Sequence, residues 1–333
     1  MDAAQEVVAA QSDVEAFRRD VGALRAAVAR AVVGQQDVVD AALWTLFARG
    51  HLLLEGVPGT GKTLLVRTLA QSLDLSFGRV QCTPDLMPAD VLGTHWVVER
   101  DGRRELAFRP GPVFANVLLA DEVNRATPKT QSALLEAMEE RTVTAGGETR
   151  RLPDPFVVLA TENPIEMEGT YPLPEAQLDR FLLKVVVGNP AGAELEAILS
   201  RPGLDASAAP AAVLDAQRVL AMQALVRGVV LGDRVRAYAA RIVEATRPDA
   251  PAAPASVKRF VRHGASARGG LAMVLAGKAR ALCDGRANVS REDVRAVAHA
   301  ALRHRLVLDF EGEAEGVTTD ALVDDVLAQV GAG

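Results

Sequence analysis

Residues 56–63 read Gly56-Val57-Pro58-Gly59-Thr60-Gly61-Lys62-Thr63, which is the spacing of a loop that cradles phosphate. Glycines let successive backbone N–H groups turn toward one anion. A compact ammonium at Lys62 suits bridging phosphate oxygens, and the Thr63 hydroxyl suits a hard cation such as Mg2+. Leu64 carries the segment into a helical pattern whose N-terminus would face the same charge. The chain has 37 basic residues but only five lysines, and one of the five lies here.

A second constellation follows at Val117-Leu-Leu-Ala-Asp121-Glu122, an apolar run ending in two carboxylates. At the carboxyl end of a strand, Asp121 would sit near the metal. Glu122 would sit near the terminal phosphate, where it could polarise a water as general base. Phosphoryl transfer also needs a group that positions the water, and cations that meet the developing charge. Three residues are candidates: Asn163 before Pro164, Arg180 in Leu178-Asp-Arg-Phe181, and Arg268 in Gly264-Ala-Ser-Ala-Arg268. Alone, each reads as a turn residue or a surface arginine. Together with the two motifs they read as a site that binds and hydrolyses ATP with Mg2+.

These residues need a frame. Residues 12–31 carry Val14, Phe17, Val21, Leu24 and Val28 at helical spacing, and a second helix is expected over Gln36–Arg49. The runs His51–Glu55, Phe77–Gln81, Val117–Ala120, Phe156–Thr161 and Phe181–Val187 read as strands. Helical patterns at Lys62–Leu73 and Thr127–Glu140 lie between them. That alternation predicts an α/β fold with a parallel five-stranded sheet between helices. Two hairpins are expected, one over about 95–109 around Asp101-Gly102 and one over 141–152 around Gly146-Gly147. Beyond Gly188-Asn189-Pro190 only helical periodicities appear, interrupted by connectors at Pro202–Pro210 and Arg247–Pro254. The chain therefore divides into an N-terminal helix (1–30), an α/β nucleotide-binding domain (31–189) and a smaller all-α lid domain (191–333). The first helix is expected to dock on its own subunit.

Composition excludes several classes. A net charge of −6 argues against a dedicated nucleic-acid binder. Cys82 and Cys283 are too few for a disulfide framework or a zinc site. No apolar run is long enough for a membrane span, so the cytoplasm is the expected compartment. His95-Trp96 and Tyr171 are expected in the core, and Arg150-Arg151 as a solvated pair.

The order of these motifs resembles the AAA+ ATPases. Gly111-Pro-Val-Phe-Ala-Asn-Val-Leu-Leu-Ala-Asp-Glu-Val-Asn-Arg-Ala126 is similar to the Walker B region of the MoxR family. So is Ala160-Thr-Glu-Asn-Pro-Ile-Glu-Met-Glu-Gly-Thr-Tyr-Pro-Leu-Pro-Glu-Ala-Gln-Leu-Asp-Arg-Phe181 to the segment that follows it. Val33-Gly-Gln35 and Gln81-Cys-Thr-Pro-Asp-Leu86 match in character. The resemblance implies that Gly56–Leu64 binds ATP or ADP, with Lys62 and Thr63 as the Walker A pair. It implies Asp121 and Glu122 as Walker B, Asn163 as sensor 1, Arg180 as an arginine finger and Arg268 as sensor 2. Thr63 and Asp121 would hold Mg2+.

It further implies a homo-oligomeric ring, usually a hexamer, in which the finger completes a neighbour's site. The expected work is remodelling of separate client or adaptor proteins, often with a von Willebrand factor A domain, for complex assembly or metal-cofactor insertion. A magnesium-chelatase-like ATPase subunit is the alternative. A nucleic-acid motor or transcription activator of the superfamily, and a scaffold with little turnover, come after it. The sequence departs from the family pattern at Ala267, where proline is usual, with Gly269-Gly270 following. It departs again at Glu162, a carboxylate expected near the γ-phosphate, and at Cys82, expected as a small buried hydrophobe.

Overall fold

The computed structural model describes residues 11–57, 59–100, 103–164, 169–200 and 211–331, apart from the side chains of Arg100 and Arg103. Pro58 of the glycine loop, the Asp101-Gly102 turn, residues 165–168 of the long similar segment and the Pro202–Pro210 connector lie outside the described residues.

Helix α1 (Gln11–Ala31) buries Val14, Phe17, Val21, Leu24 and Val28 along one stripe. Helix α2 (Gln36–Phe47) follows. Strand β1 (Leu52–Glu55) leads into α3 (Lys62–Ser72), against which α1 packs, so the first helix docks on its own subunit. After β2 (Phe77–Gln81), the short helix α4 (Pro88–Leu92) opens a hairpin of β3 (Gly93–Arg100) and β4 (Arg103–Pro110). Strand β5 (Val117–Asp121) feeds α5 (Pro128–Glu140). A second hairpin, β6 (Thr142–Ala145) and β7 (Glu148–Arg151), turns through Gly146 and Gly147 at φ 61° and 82°. Both positive angles suit a tight two-residue turn. Strand β8 (Val157–Glu162), helix α6 (Glu175–Leu178) and β9 (Leu183–Val186) complete this unit.

The sheet runs β2-β5-β8-β1-β9 and every pairing in it is parallel. Its central strands β5, β8 and β1 are apolar along most of their length because both faces are covered, whereas the edge strand β2 (Phe-Gly-Arg-Val-Gln) buries only Val80. Successive side chains leave on opposite faces: Leu52 and Leu54 join the core under α1, α2 and α3, while Leu53 joins the core under α5.

The second unit is mainly helical: α7 (Ala193–Leu199), α8 (Ala216–Gly228), α9 (Asp233–Ala245), α10 (Ala255–Phe260), α11 (Ala267–Cys283), α12 (Arg291–Leu302), α13 (Phe310–Ala314) and α14 (Thr319–Gly331). The sequence shows no strand here, but the structure adds a short antiparallel ribbon of β10 (Val261–His263) and β11 (Val307–Leu308). Runs of three and two residues are too short to display a period. The core under α1–α3 continues without a break into α8, α9, α11, α12 and α14.

Two expectations about aromatics are corrected. Trp96 is 52% exposed and Tyr171 41% exposed. A two-stranded ribbon has one face to spare. His95 lies on the covered face, edge-on to Phe108, while Trp96 points the other way beneath the Arg109 guanidinium. Tyr171 is tied by its backbone, whose N–H donates to the Asn124 carbonyl and whose carbonyl accepts from Gln131, and its ring turns outward. Arg150 is more than a solvated charge, since its guanidinium lies 4.0 Å from the Phe108 ring centroid and joins the two hairpins.

Candidate functional site

The glycine loop begins where β1 ends. Gly56 passes so close to β9 that a Cβ there would lie 2.6 Å from the Val187 carbonyl oxygen. Gly59 and Gly61 take φ of +83° and +79°, which other residues rarely adopt. Gln35 Nε2 donates to the Thr60 carbonyl (2.5 Å), and Thr60 Oγ1 donates to the Val57 carbonyl (3.1 Å). Lys62 opens α3, and its ammonium donates to the carbonyls of Gly56 (2.5 Å) and Val57 (2.9 Å). Burial lowers the Lys62 pKa, against the pull of Asp121 and Glu122. The free N–H groups at the start of α3 and this ammonium make the loop an anion cradle.

The two carboxylates stand at the same end of the sheet. Asp121 is buried. Its Oδ2 accepts from Thr63 Oγ1 (3.2 Å), and its Oδ1 accepts from Thr161 Oγ1 (2.9 Å). Glu122 sits in the left-handed region (φ 55°, ψ 52°), a costly conformation for a non-glycine residue. Its N–H donates to Thr161 Oγ1 (2.8 Å), and its Oε2 accepts from Gln81 Nε2 (3.0 Å) and Arg125 Nη1 (3.1 Å). Thr63 and Asp121 present a hydroxyl and a carboxylate oxygen side by side at the phosphate loop. That donor set fits Mg2+, which takes one or two protein oxygens and fills its octahedron from phosphates and water.

Asn163 is buried just past β8, the strand between β5 and β1, so it stands between the carboxylates and the loop. Its carbonyl accepts from Asn124 Nδ2 (3.4 Å). Glu162 turns elsewhere than expected. It lies in a half-buried row with Glu55 and Lys184, whose ammonium is 3.7 Å away. Burial raises the Glu162 pKa and Lys184 opposes the rise. Cys82 is a buried thiol, pushed up to about 12 by burial and then by Asp121 and Glu122.

Arg180 and Arg268 lie apart from this cluster. They share Glu139, each 3.1 Å from one of its carboxylate oxygens. Both line a cleft of about 470 Å3 together with His51, Glu139, Asp179 and Arg305. His51 precedes β1, whereas the glycine loop follows it. Five residues of extended strand separate the two ends by about 16 Å. That is farther than an arginine side chain extends. The departures around Ala267 do not loosen α11: it starts there, with Ser266 Oγ accepting from the Arg268 N–H at 3.1 Å.

Three residues of the cluster escape a reading by motif. Thr161 holds both carboxylate residues. Arg79 gives two hydrogen bonds to Asp121 Oδ2 (3.1 and 2.8 Å), and Gln81 holds Glu122. The available signal is period two: Arg79 and Gln81 share a face of β2, which pairs with β5 in the register Gln81↔Asp121.

Comparison with known proteins agrees with this architecture. Residues 51–183 match the ATPase family associated with various cellular activities (AAA), and residues 254–326 match the AAA lid domain. Chaperone MoxR1 of Mycobacterium tuberculosis is 44% identical over 91% of this chain and 80% of its own. The uncharacterized protein YeaC of Bacillus subtilis is 43% identical over 90% of this chain and 91% of its own. Protein MoxR of Paracoccus denitrificans is 35% identical over 96% and 97%. A crystal structure of a candidate ATPase from Cytophaga hutchinsonii superposes with a TM-score of 0.89 at 38% identity, covering 95% of this chain and 96% of that one.

Proposed function

The chain belongs to the MoxR family of AAA+ ATPases, and from that membership we propose that it is a chaperone that hydrolyses ATP to remodel partner proteins. The work proposed is complex assembly or metal-cofactor insertion, with clients that carry a von Willebrand factor A domain. We place it in the cytoplasm; no helix among the described residues is long and apolar enough to cross a membrane.

In the proposed mechanism Gly56–Leu64 holds the phosphates of ATP and Lys62 bridges the β- and γ-phosphates. Thr63 and Asp121 would hold Mg2+, which when bound would neutralise charge on the phosphates. Glu122 takes a proton from the attacking water and Asn163 orients that water. The site needs further cations for the transferred group.

The observation that carries the reading is the separation of the two halves. Lys62, Thr63, Asp121 and Glu122 gather at the carboxyl end of the sheet, and Arg180 and Arg268 stand at its amino end. A chain built this way serves its neighbour with its arginines, which implies a ring, proposed as a hexamer. Mixing Arg180→Ala chains with Lys62→Ala chains tests it. Each is inactive alone, and mixed rings regain turnover where an intact loop meets an intact finger. Rings shown to be mixed that stay inactive overturn the proposal. Glu122→Gln chains loaded with ATP, used as bait, identify the client.

A further inference from the structure

Arg305 stands just beyond α12, and its side chain is only 3% exposed. Burying a guanidinium is costly unless its five N–H groups find acceptors. Here they converge on one short segment of the α/β unit. Nε donates to Asp179 Oδ1 (2.6 Å). Nη2 donates to the carbonyls of Asp179 (3.1 Å) and Phe181 (2.7 Å), and Nη1 to the carbonyls of Leu182 (3.2 Å) and Ala301. Four of these five acceptors belong to the residues that flank Arg180. The helical unit adds two contacts to the same segment: Ser266 Oγ donates to Asp179 Oδ2 (3.3 Å), and His304 Nε2 lies 3.1 Å from the Phe181 carbonyl. Gly269 leaves room for the arginine stem, since a Cβ there would lie 3.1 Å from Arg305 Cδ.

Stability alone does not call for such a grip. A buried ion pair can often be replaced by apolar side chains at little cost. What a planar fork supplies is geometry, fixed on both sides of one residue. We infer that Arg305 is a positioning residue: through Asp179 and the adjoining carbonyls it sets where Arg180 stands. A rotation of the helical unit therefore moves the finger offered to the neighbouring site. The inference rests on the reading of Arg180 as a finger acting in trans.

Arg305→Lys and Asp179→Asn, made separately in the full chain, test it. Lysine keeps the charge but cannot span both sides of Arg180, and asparagine keeps the shape but loses the charge-assisted bond. The expected result is a kcat lower by roughly 10–100-fold, the scale of a misplaced catalytic group. KM for ATP and ring assembly stay near the parent values, while the melting temperature falls because the buried pair is weakened. Mixing either variant with Lys62→Ala chains, whose Arg180 and Arg305 are intact, restores turnover. A purely structural role in the variant's own subunit gives no such recovery.

The Arg180→Ala and Lys62→Ala mixture runs alongside. If that mixture recovers and the Arg305→Lys and Asp179→Asn mixtures do not, the inference is overturned and the trans reading stands. If the Arg180→Ala mixture fails, both fall. An unchanged kcat in both variants also overturns the inference. Should Arg305→Lys fail to fold, Asp179→Asn decides alone, because it leaves every carbonyl contact of Arg305 in place.

Discussion

Glu122 shows how much of a site depends on one residue's neighbours. Its left-handed backbone is held at the N–H by the Thr161 hydroxyl, which also donates to Asp121, and at the carbonyl by the Arg125 N–H (2.8 Å). Thr161→Val keeps the shape and leaves two buried polar groups without that partner. Such groups cost about 1–3 kcal/mol each. We expect a lower melting temperature and a fall in kcat larger than any change in ATP affinity. Glu122→Gln makes the complementary case: ATP still binds, and phosphate release all but stops. Wild-type phosphate release from that variant would remove Glu122 as the proposed base. Lys62→Ala is expected to abolish binding in a fluorescent-ATP titration. Lys62, Asp121 and Glu122 stand out in the sequence because their proposed partner is a phosphate or a metal, and such a ligand would set their spacing. Thr161, Arg79 and Gln81 do not, because their partner is a side chain on a neighbouring strand and strand register is written nowhere in a linear motif.

At the scale of elements, the amino end of β1 carries a titratable group inside the core. His51 Nδ1 accepts from the Val158 N–H (2.9 Å), so Nε2 carries the proton and donates to the Met138 carbonyl (3.1 Å). This joins β1 to β8 and α5. Burial pushes the His51 pKa down to about 4, the Met138 bond opposes that, and Arg141 adds to it. His304 is lowered too, by burial and then by Arg305. At these two histidines the folded chain therefore binds fewer protons than the unfolded chain between pH 6.5 and about 4, with the raised Glu162 opposing them in part. Stability is present in full above that window and is lost as pH falls through it. For His51 the full effect corresponds to about 3 kcal/mol. Urea unfolding at pH 7 and pH 5 checks this, with His51→Gln expected to give the flatter pH dependence. Four strands of the sheet are legible because each is a short, mainly apolar run, while β2, Phe-Gly-Arg-Val-Gln, shows only an alternation of period two. The second hairpin is legible because Gly146-Gly147 specifies its turn. The ribbon of β10 and β11 is not legible, since its short strands carry no period and depend on chain brought together by α10–α13.

At the scale of the molecule, one core runs from α1 through the sheet's first face into the helical unit, so the two units are packed as one body. Within that body the proposed machinery is divided between opposite ends of the sheet. The sequence places Arg180 just before a strand of the parallel sheet, and so at its amino end, but not Arg268, which reaches that end only because α11 packs its first turn beside Glu139. A divided site makes turnover a property of the assembly. The rate per chain should rise with protein concentration as rings form and then reach a plateau. Arg180→Ala should lower that plateau by about 10³–10⁵-fold, the worth of an arginine finger, without moving the concentration at which rings appear. Phosphate release across a dilution series, read beside light scattering, checks both. A site complete within one chain would give the same rate per chain at every dilution, and that result would refute the division of labour between subunits.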